Sequence, residues 1–503
     1  MNALLGSVLA ALLGPVLPAD YFVDSTGGSD LTGTGTSTDP WKTITHALSQ
    51  VPGPGDTIHV AAGVHGLSLG EVFPLLMKPG VSLVGAGSTS TTIDALGSAF
   101  AAVRFDALDF SPPTLFEGFR LTNSAAPALR VAASDPSGIR IVRNAAVGNG
   151  VGIRIDGVGS AMGPSMEENE FGFNASDVLV FAGPGGTTTS PRFRGDRIHH
   201  STGHGFVVSA SAGGSAIVTL EGIRIETNGG AGLWSSATAG TAILYGTNLT
   251  VFQNAVGGLV VSSSGAGALS LFLDHVTVAD NAAGGVSVSG GASAAIANSI
   301  AQGNTSADLL GVPVASVTSS LVGTGSYAGQ NGNIAGDPLF ANRAAGNYAL
   351  GAGSVCIDAG ASSVVYEDAY ADSRPIDGNF DGLAAPDMGS DELAHAHVEV
   401  VGAPTLGSTI TLSLTGSPGV FARTYIAAGT GVLPIPYWGV LFLSFPVLPF
   451  GGVSVVAPAT IPIPIPNDPA LLGVELYLQP VGLKPVGFLL RGSLGNVVRV
   501  RIS

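Results

Sequence analysis

A single cysteine, Cys356, stands among the 503 residues, so no internal disulfide can form and the fold must be held by burial and hydrogen bonding. Charge is scarce as well: 11% of residues, 19 basic against 35 acidic, for a formal net charge of -16. Without clustered Lys and Arg to neutralise phosphates, a nucleic-acid partner is disfavoured. So low a charge density also implies extensive burial or a turn-rich β surface. The uncharged stretch between Arg423 and Asp468 does not supply a membrane span. Pro434, Pro436, Pro446, Pro449, Pro458, Pro462, Pro464 and Pro466 recur through it, each lacking the amide donor a helix needs, and the stretch reads as short strands.

What is abundant is glycine, 74 residues, and proline, 31, a composition of many tight turns. A hydrophobic content of 45% excludes a disordered chain. Met1 to Ala19 is almost wholly apolar, uncharged beyond the amino terminus, and ends just before Asp20; it reads as a secretory signal peptide. The expected location is secreted or cell-surface, bacterial and extracellular, with no transmembrane helix in the mature chain.

The organising feature is an internal repeat. Asn174, Ser201, Asn228, Asn254, Asn281 and Asn304 mark one column at spacings of 27, 27, 26, 27 and 23 residues, each preceded by alternating apolar positions such as Ile223 and Ile225. Short strands and tight turns at this period, with no convincing helix, describe a solenoid of stacked parallel strands. Asn at a sharp turn can stack its amides and tolerates left-handed backbone, and Gly four residues later permits close approach, so the column is structural. Before the repeat, 20–94 reads as an N-terminal cap with the first coils. Its strands are Tyr21 to Asp24, Asp56 to Val60 and Val81 to Gly85, and Trp41, Ile44, Ala47 and Leu48 share one face of a short amphipathic helix. His59 and His65 read as ordinary strand and turn residues, because no further ligand has a metal spacing. The repeats fill 95–336, a closing segment 337–393, a linker 394–401, and a C-terminal β-sandwich 402–503.

Tyr21 to Asp24, Asp39-Pro40-Trp41-Lys42-Thr43-Ile44, Gly55-Asp56-Thr57-Ile58 and Gly80 to Gly87 resemble the domain of unknown function that opens many secreted right-handed parallel β-helix proteins of the pectin-lyase-like superfamily. Asp337-Pro338-Leu339-Phe340, Asn347 to Leu350, Ile357-Asp358-Ala359-Gly360 and Asp387-Met388-Gly389-Ser390-Asp391-Glu392 resemble the closing segment of choice-of-anchor Q proteins. Ile465 to Gly473, with the strand Tyr477-Leu478-Gln479, is similar to a small C-terminal domain of secreted bacterial multidomain proteins. The resemblances imply an all-β fold: a right-handed parallel β-helix followed by a small C-terminal β-sandwich. They transfer no catalytic residue.

Counting back four from the column, the outward position reads Arg120, Arg140, Glu170, Arg197, Arg224, Thr250 and Thr277; two places on it reads Thr122, Val142, Gly172, His199, Glu226, Phe252 and Ala279. Glu170, Arg197, His199, Arg224 and Glu226 then form one polar patch, with His200 and His204 on the turn beside it. Arginines grip carboxylates of acidic sugars bidentately, and Glu170 with Glu226 or His199 has the chemistry of a general acid and base. The alternative is an exposed ladder of Glu-Arg pairs that only solvates the face. Many members of the superfamily are polysaccharide lyases or hydrolases, but the adjacent aspartate pair of polygalacturonases and the calcium-binding aspartates beside an arginine base of pectate lyases are missing. Two functions stay open: a non-enzymatic, monomeric secreted or cell-surface protein that displays a binding face for polysaccharide, cell-surface glycan or other surface partners, and a polysaccharide lyase or glycoside hydrolase on an acidic polysaccharide at the outer face of one sheet. Asp377, Asn379 and Asp381, with Asp387 near the twelfth position, have the start of a calcium-loop spacing, although Met388 stands where the bidentate carboxylate belongs. His395 and His397 are two ligands at most. Cys356 reads as a buried small apolar residue, and Tyr437 with Trp438 as core or sugar platform.

Overall fold

A computed structural model describes residues 18–502, apart from 52, 158–161, 185–186, 417–419, 436–437, 450–454, 457 and 487–488. The expected signal peptide therefore lies almost wholly outside the described residues, as does Tyr437. The protein is a right-handed parallel β-helix with antiparallel C-terminal sheets that make a small sandwich. Each coil passes in turn through a first, second and third sheet, which among the described residues have thirteen, eleven and ten strands. The chain forms two compact units: described residues up to Thr219 with Thr227–Ile243 and Ser262–Leu269, and Leu220–Glu226 with Leu244–Val261 and Ser270–Ser503.

The coil of the first unit containing Ser165–Glu167, Glu170–Gly172 and Ser176–Ala182 shows the pattern. Met166, Phe171, Val178 and Val180 point inward and are buried, because side chains alternate across a strand. Between first and second sheets the chain turns on one left-handed residue, Arg143, Glu168 or Gly195, and after the second sheet on another, Phe173, His200 or Thr227. Non-glycine residues adopt this conformation at a cost of about 1 kcal/mol, so something must hold them there.

The holding is done by asparagine. Asn174 accepts Asn149 N and Nδ2 at 2.8 and 3.2 Å, and in the second unit Asn254, Asn281 and Asn304 repeat the arrangement, with Asn281 Oδ1 taking both nitrogens of Asn254. Where Ser201 supplies no amide, Asp177 accepts Asn174 Nδ2 instead, and at the last rung Asp308 does the same for Asn304. Burial pushes Asp177 up to about 8, so the rung is protonated near neutral pH. The glycines four residues on are equally constrained: a Cβ at Gly205 or Gly285 would stand 2.7 Å from the next coil's asparagine nitrogen. A parallel ladder, Asn144–Asn169–Asp196, runs along the turn between first and second sheets.

That second ladder corrects the register at one coil. Arg120, Ala145, Glu170 and Arg197 are partners, as are Val147, Gly172 and His199. Arg140 and Val142 belong to the first sheet, opposite Ser165 and Glu167. Asn144 and Asn149 both follow short strands, and counting from the wrong one moves a residue to a different sheet.

At the N-terminal end the helix Ile44–Gln50 buries Ile44, Ala47 and Leu48 with Trp41, as its spacing predicts. The buried Glu71 carboxylate accepts Ile44 N and Thr45 N, two of the donors a helix start leaves without partners. In the second unit the closing segment has little regular structure, and its backbone N–H groups go to carboxylates: Leu350 N to Asp391, Asp358 N and Leu393 N to Asp387, Ile376 N and Asp387 N to Glu392, Glu392 N to Asp368. Arg374, wholly buried, is the cation among them, with Nε 3.1 Å from Glu392.

The expected linker is structured. Ala396–Val401 is a strand pairing with Thr409–Gly416, which pairs with Ala459–Pro464, and Ala396 and Val398 belong to the sandwich core with Leu412, Leu414, Ala422 and Leu478. Among the described residues no helix is long and apolar enough to cross a membrane. Cys356 is buried beside Met388 and Leu350, and burial pushes its thiol up to about 12.

Candidate functional site on the second sheet

Glu170, Arg197 and His199 belong to the first unit, and Arg224 and Glu226 to the second. In the first, strands Glu170–Gly172 and Arg197–His199 lie side by side with Glu170 opposite Arg197 and Gly172 opposite His199. Gly172 makes room: a Cβ there would sit 2.5 Å from the His199 ring, which lies back along the ladder to bring Nε2 within 2.9 Å of Glu170 Oε1. Arg197 is exposed, and the Glu170 side chain is 43% exposed. His199 faces outward as its position predicts, yet it is buried, which corrects the expectation of a solvated ladder here.

The cover comes from turn residues. Phe173, 56% exposed, meets the His199 ring edge-on at 5.3 Å and stacks on His200 at 4.8 Å and 19°. Both are left-handed residues immediately before the asparagine column, so their side chains stack one coil above the other at about the strand spacing. His199 Nδ1 is 2.9 Å from His200 Nδ1, and Thr227 Oγ1 is 3.2 Å from the same His200 nitrogen. Burial holds His199 below the usual histidine range; Arg197 and His200 add to this and Glu170 opposes it. A neutral His199 that donates its Nε2–H to the Glu170 carboxylate in a hydrogen bond leaves Nδ1 to accept from His200. Sequence reasoning missed Phe173, although its place directly before Asn174 is the signal that finds it. His204 lies apart, stacked on Trp234 and accepting Ala231 N.

In the second unit Arg224 donates to Glu226 Oε2 from Nε at 2.8 Å and Nη2 at 2.6 Å, and its guanidinium lies 4.6 Å over Phe252. The closing segment covers the outward face in this unit. Tyr348 packs on Phe252 at 4.5 Å, and Ser390 bonds to Thr250 and Thr277. Glu226 is therefore 5% exposed at its side chain and Thr250, Thr277 and Ala279 are buried, where counting along the chain expects an open surface.

The residues of the expected calcium loop have separate partners. Asp377 pairs with Arg491 at 2.9 Å and accepts Gly382 N; Asn379 accepts Asp381 N; Asp381 accepts Leu383 N; Asp387 accepts Asp358 N and Leu393 N. The arginine supplies the positive charge that a cation would bring, so the set does not fit calcium. Among the described residues no group of three or more His, Cys, Asp or Glu is placed to hold a metal ion. His395 stacks on Phe380 at 3.8 Å and His397 faces Asp372 at 3.4 Å, so the two histidines share no centre.

Residues 26–169, less than half of the chain, match the family model described as a protein of unknown function, DUF1565. Among curated proteins none matches. Solved structures with a similar chain path include the A-module of an Azotobacter vinelandii mannuronan C-5 epimerase, at 17% identity and a TM-score of 0.32 over 53% of this chain and 66% of that module. The Dettilon tailspike protein is similar at 11% identity and a TM-score of 0.38 over 90% of each chain. Tailspike protein 2 of Escherichia coli O157:H7 bacteriophage CAB120 is similar at 10% identity and 0.34 over 93% of this chain and 67% of that one. The chain thus spans just under two thirds of the epimerase module's own length. Likeness at this level says nothing about ligand or activity.

Proposed function

We propose that this is a secreted or cell-surface glycan-binding protein, with Phe173 and His200 as a stacking surface and Glu170, Arg197 and the His199 edge as polar contacts. The observation that carries the reading is the exposed Phe173–His200 stack beside the Glu170 carboxylate, with Arg197 opposite Glu170 on the neighbouring strand. A sugar ring has an apolar C–H face and a polar rim, and a ring face next to hydrogen-bonding groups matches both. Arg197 favours a sugar that carries a carboxylate.

Cleavage is less well supported. It needs a second group at reactive distance from the sugar bond, and Glu226, the other carboxylate expected to act, is buried against Arg224. Arg224 and Glu226 are assigned to seating the closing segment instead.

Affinity electrophoresis of the whole protein in gels containing polygalacturonate or alginate tests this reading. Retardation by one of them is expected, weakened roughly tenfold in Phe173→Ala, the scale of one lost aromatic face, and also reduced in Arg197→Ala. Full retardation in both variants would defeat the assignment. Release of oligosaccharides that stops in Glu170→Gln and His199→Ala would replace binding by cleavage.

A further inference from the structure

On the first sheet, within the second unit, the outward side chains of Tyr245 and Phe272 stack with ring centroids 5.2 Å apart and planes 15° from parallel. Both rings are more than two-fifths exposed. The strand partner of Phe272 on the following coil is Ala295, so the aromatic ladder stops abruptly at a methyl group. Beyond it the 3₁₀ turn Val314–Ser316 contributes Ala315 and Ser316 to the same depression. The result is a slot of about 400 Å³ floored by Ala295, bounded by Phe272 and by Ala315 and Ser316, with Asp274 and Thr318 also lining it.

Successive strands are about 4.8 Å apart, close to the stacking distance of flat rings, so the position above Ala295 is where a third ring would continue the stack. The polar groups of the lining are hydroxyls and one carboxylate. Asp274 accepts from Asn298 and Ser363, which holds its carboxylate in place while leaving it 35% exposed. Among the described residues no Lys, Arg or His lines the slot. His275, behind Asp274, is kept neutral by burial, which pushes it down to about 2. Nothing there would balance a negative ligand.

We propose that this slot binds one ring of a neutral carbohydrate, its apolar face on Phe272 and its hydroxyls toward Asp274, Ser316 and Thr318. An apolar ring face matches Phe272, hydroxyl donors match an anchored carboxylate, and a uronate or sulfated sugar is repelled by it. The inference takes the glycan-binding reading to a different face and a different sugar chemistry, and the two stand or fall separately.

The test uses the whole protein and gels of galactomannan, xyloglucan, mixed-linkage β-glucan and, as the acidic arm, polygalacturonate. Retardation by at least one neutral polysaccharide is expected, reduced roughly tenfold in Phe272→Ala and abolished in Ala295→Phe, which fills the slot with the missing third ring at an exposed position and so leaves the fold intact. Phe173→Ala should leave neutral binding unchanged. No neutral polysaccharide bound, or neutral binding unaffected by Ala295→Phe, overturns the proposal. So does a dimer, seen by light scattering, that Ala295→Phe dissociates, because the slot would then hold a side chain of a second copy. Loss of neutral binding in Phe173→Ala with none in Phe272→Ala would leave the second-sheet site standing and remove this one.

Discussion

Arg374→Met is expected to lower stability near neutral pH by about 3–5 kcal/mol, the range for removing one partner of a buried ion pair. The guanidinium is wholly buried, 3.1 Å from Glu392 and 3.3 to 3.4 Å from the Gly389 carbonyl. Asp368, Asp372, Asp387 and Asp391 are buried around it in a segment whose backbone donors depend on those carboxylates. Burial pushes Asp387 and Asp391 up to about 7 and Asp358 up to about 6; burial and mutual repulsion raise Asp368, and burial with repulsion from Asp387 raises Glu392. In the unfolded chain the same groups titrate near 4. Their contribution is therefore complete in acid and is lost as pH rises through the folded values, because the unfolded chain has already released protons that the folded one must give up at a cost.

Histidines oppose this, but only in acid. His275 is pushed down to about 2 and His395 to about 4 by burial, so their contribution declines as pH falls below the ordinary histidine value of about 6.5. His397, raised by Asp372 against the effect of its burial, acts in the same direction as the carboxylates. Between about pH 6.5 and about pH 8 the carboxylates act unopposed, and the thermal midpoint of the wild-type protein should fall across that interval. In Arg374→Met the fall should be steeper, since the wholly buried guanidinium no longer balances the carboxylates that ionise. Circular dichroism melts at four pH values across the interval decide it; a midpoint that rises with pH, or a variant as stable as the wild type, would contradict the account.

Asn281→Ala is expected to cost a similar amount, about 3–5 kcal/mol, from several buried hydrogen bonds lost at once at about 1–3 kcal/mol for each group left without a partner. The Asn281 oxygen accepts Asn254 N at 3.0 Å and Asn254 Nδ2 at 2.9 Å, and its nitrogen donates to Asn304 Oδ1 at 2.9 Å and to the carbonyls of Val251 and Ala279 at 3.2 Å. Asn254, Asn281 and Asn304 are all buried, so alanine removes the acceptor of Asn254 N and takes a donor from oxygens on three successive coils, while Asn254 Nδ2 keeps the carbonyls of Ile225 and Phe252. Denaturant unfolding followed by fluorescence measures the loss; a change below about 1 kcal/mol would mean that water replaces the amide and the ladder carries little of the stability.

The ladder was readable because it is periodic. An inward Asn, once replaced by Ser201, every 23 to 27 residues, with Gly four places on in most coils, admits one explanation: a turn stacked upon itself. His200 was placed on the turn in the same way, whereas sequence reasoning missed Phe173, directly before Asn174, although the same rule puts it on the outside of that turn. The slip at Arg140 has the opposite cause. The coils of Asn144 and Asn169 carry two ladders, and composition alone does not say whether Asn144 or Asn149 continues the one through Asn174.

What the sequence by itself determined is the coil: its alternation, its turn residues, its capping helix and the outward direction of Glu170, Arg197, His199, Arg224 and Glu226. Only the tertiary structure decided which of these side chains meet solvent. Glu226 faces outward by local alternation and is nevertheless buried, because the face it belongs to is covered by Tyr348 and its neighbours from more than a hundred residues later. The free face of Phe272 is the converse case, open because Ala295, one coil on, is too small to cover it. Local geometry sets the direction of a side chain within a few residues. Its exposure depends on packing between segments distant in the chain, and no repeat period encodes that.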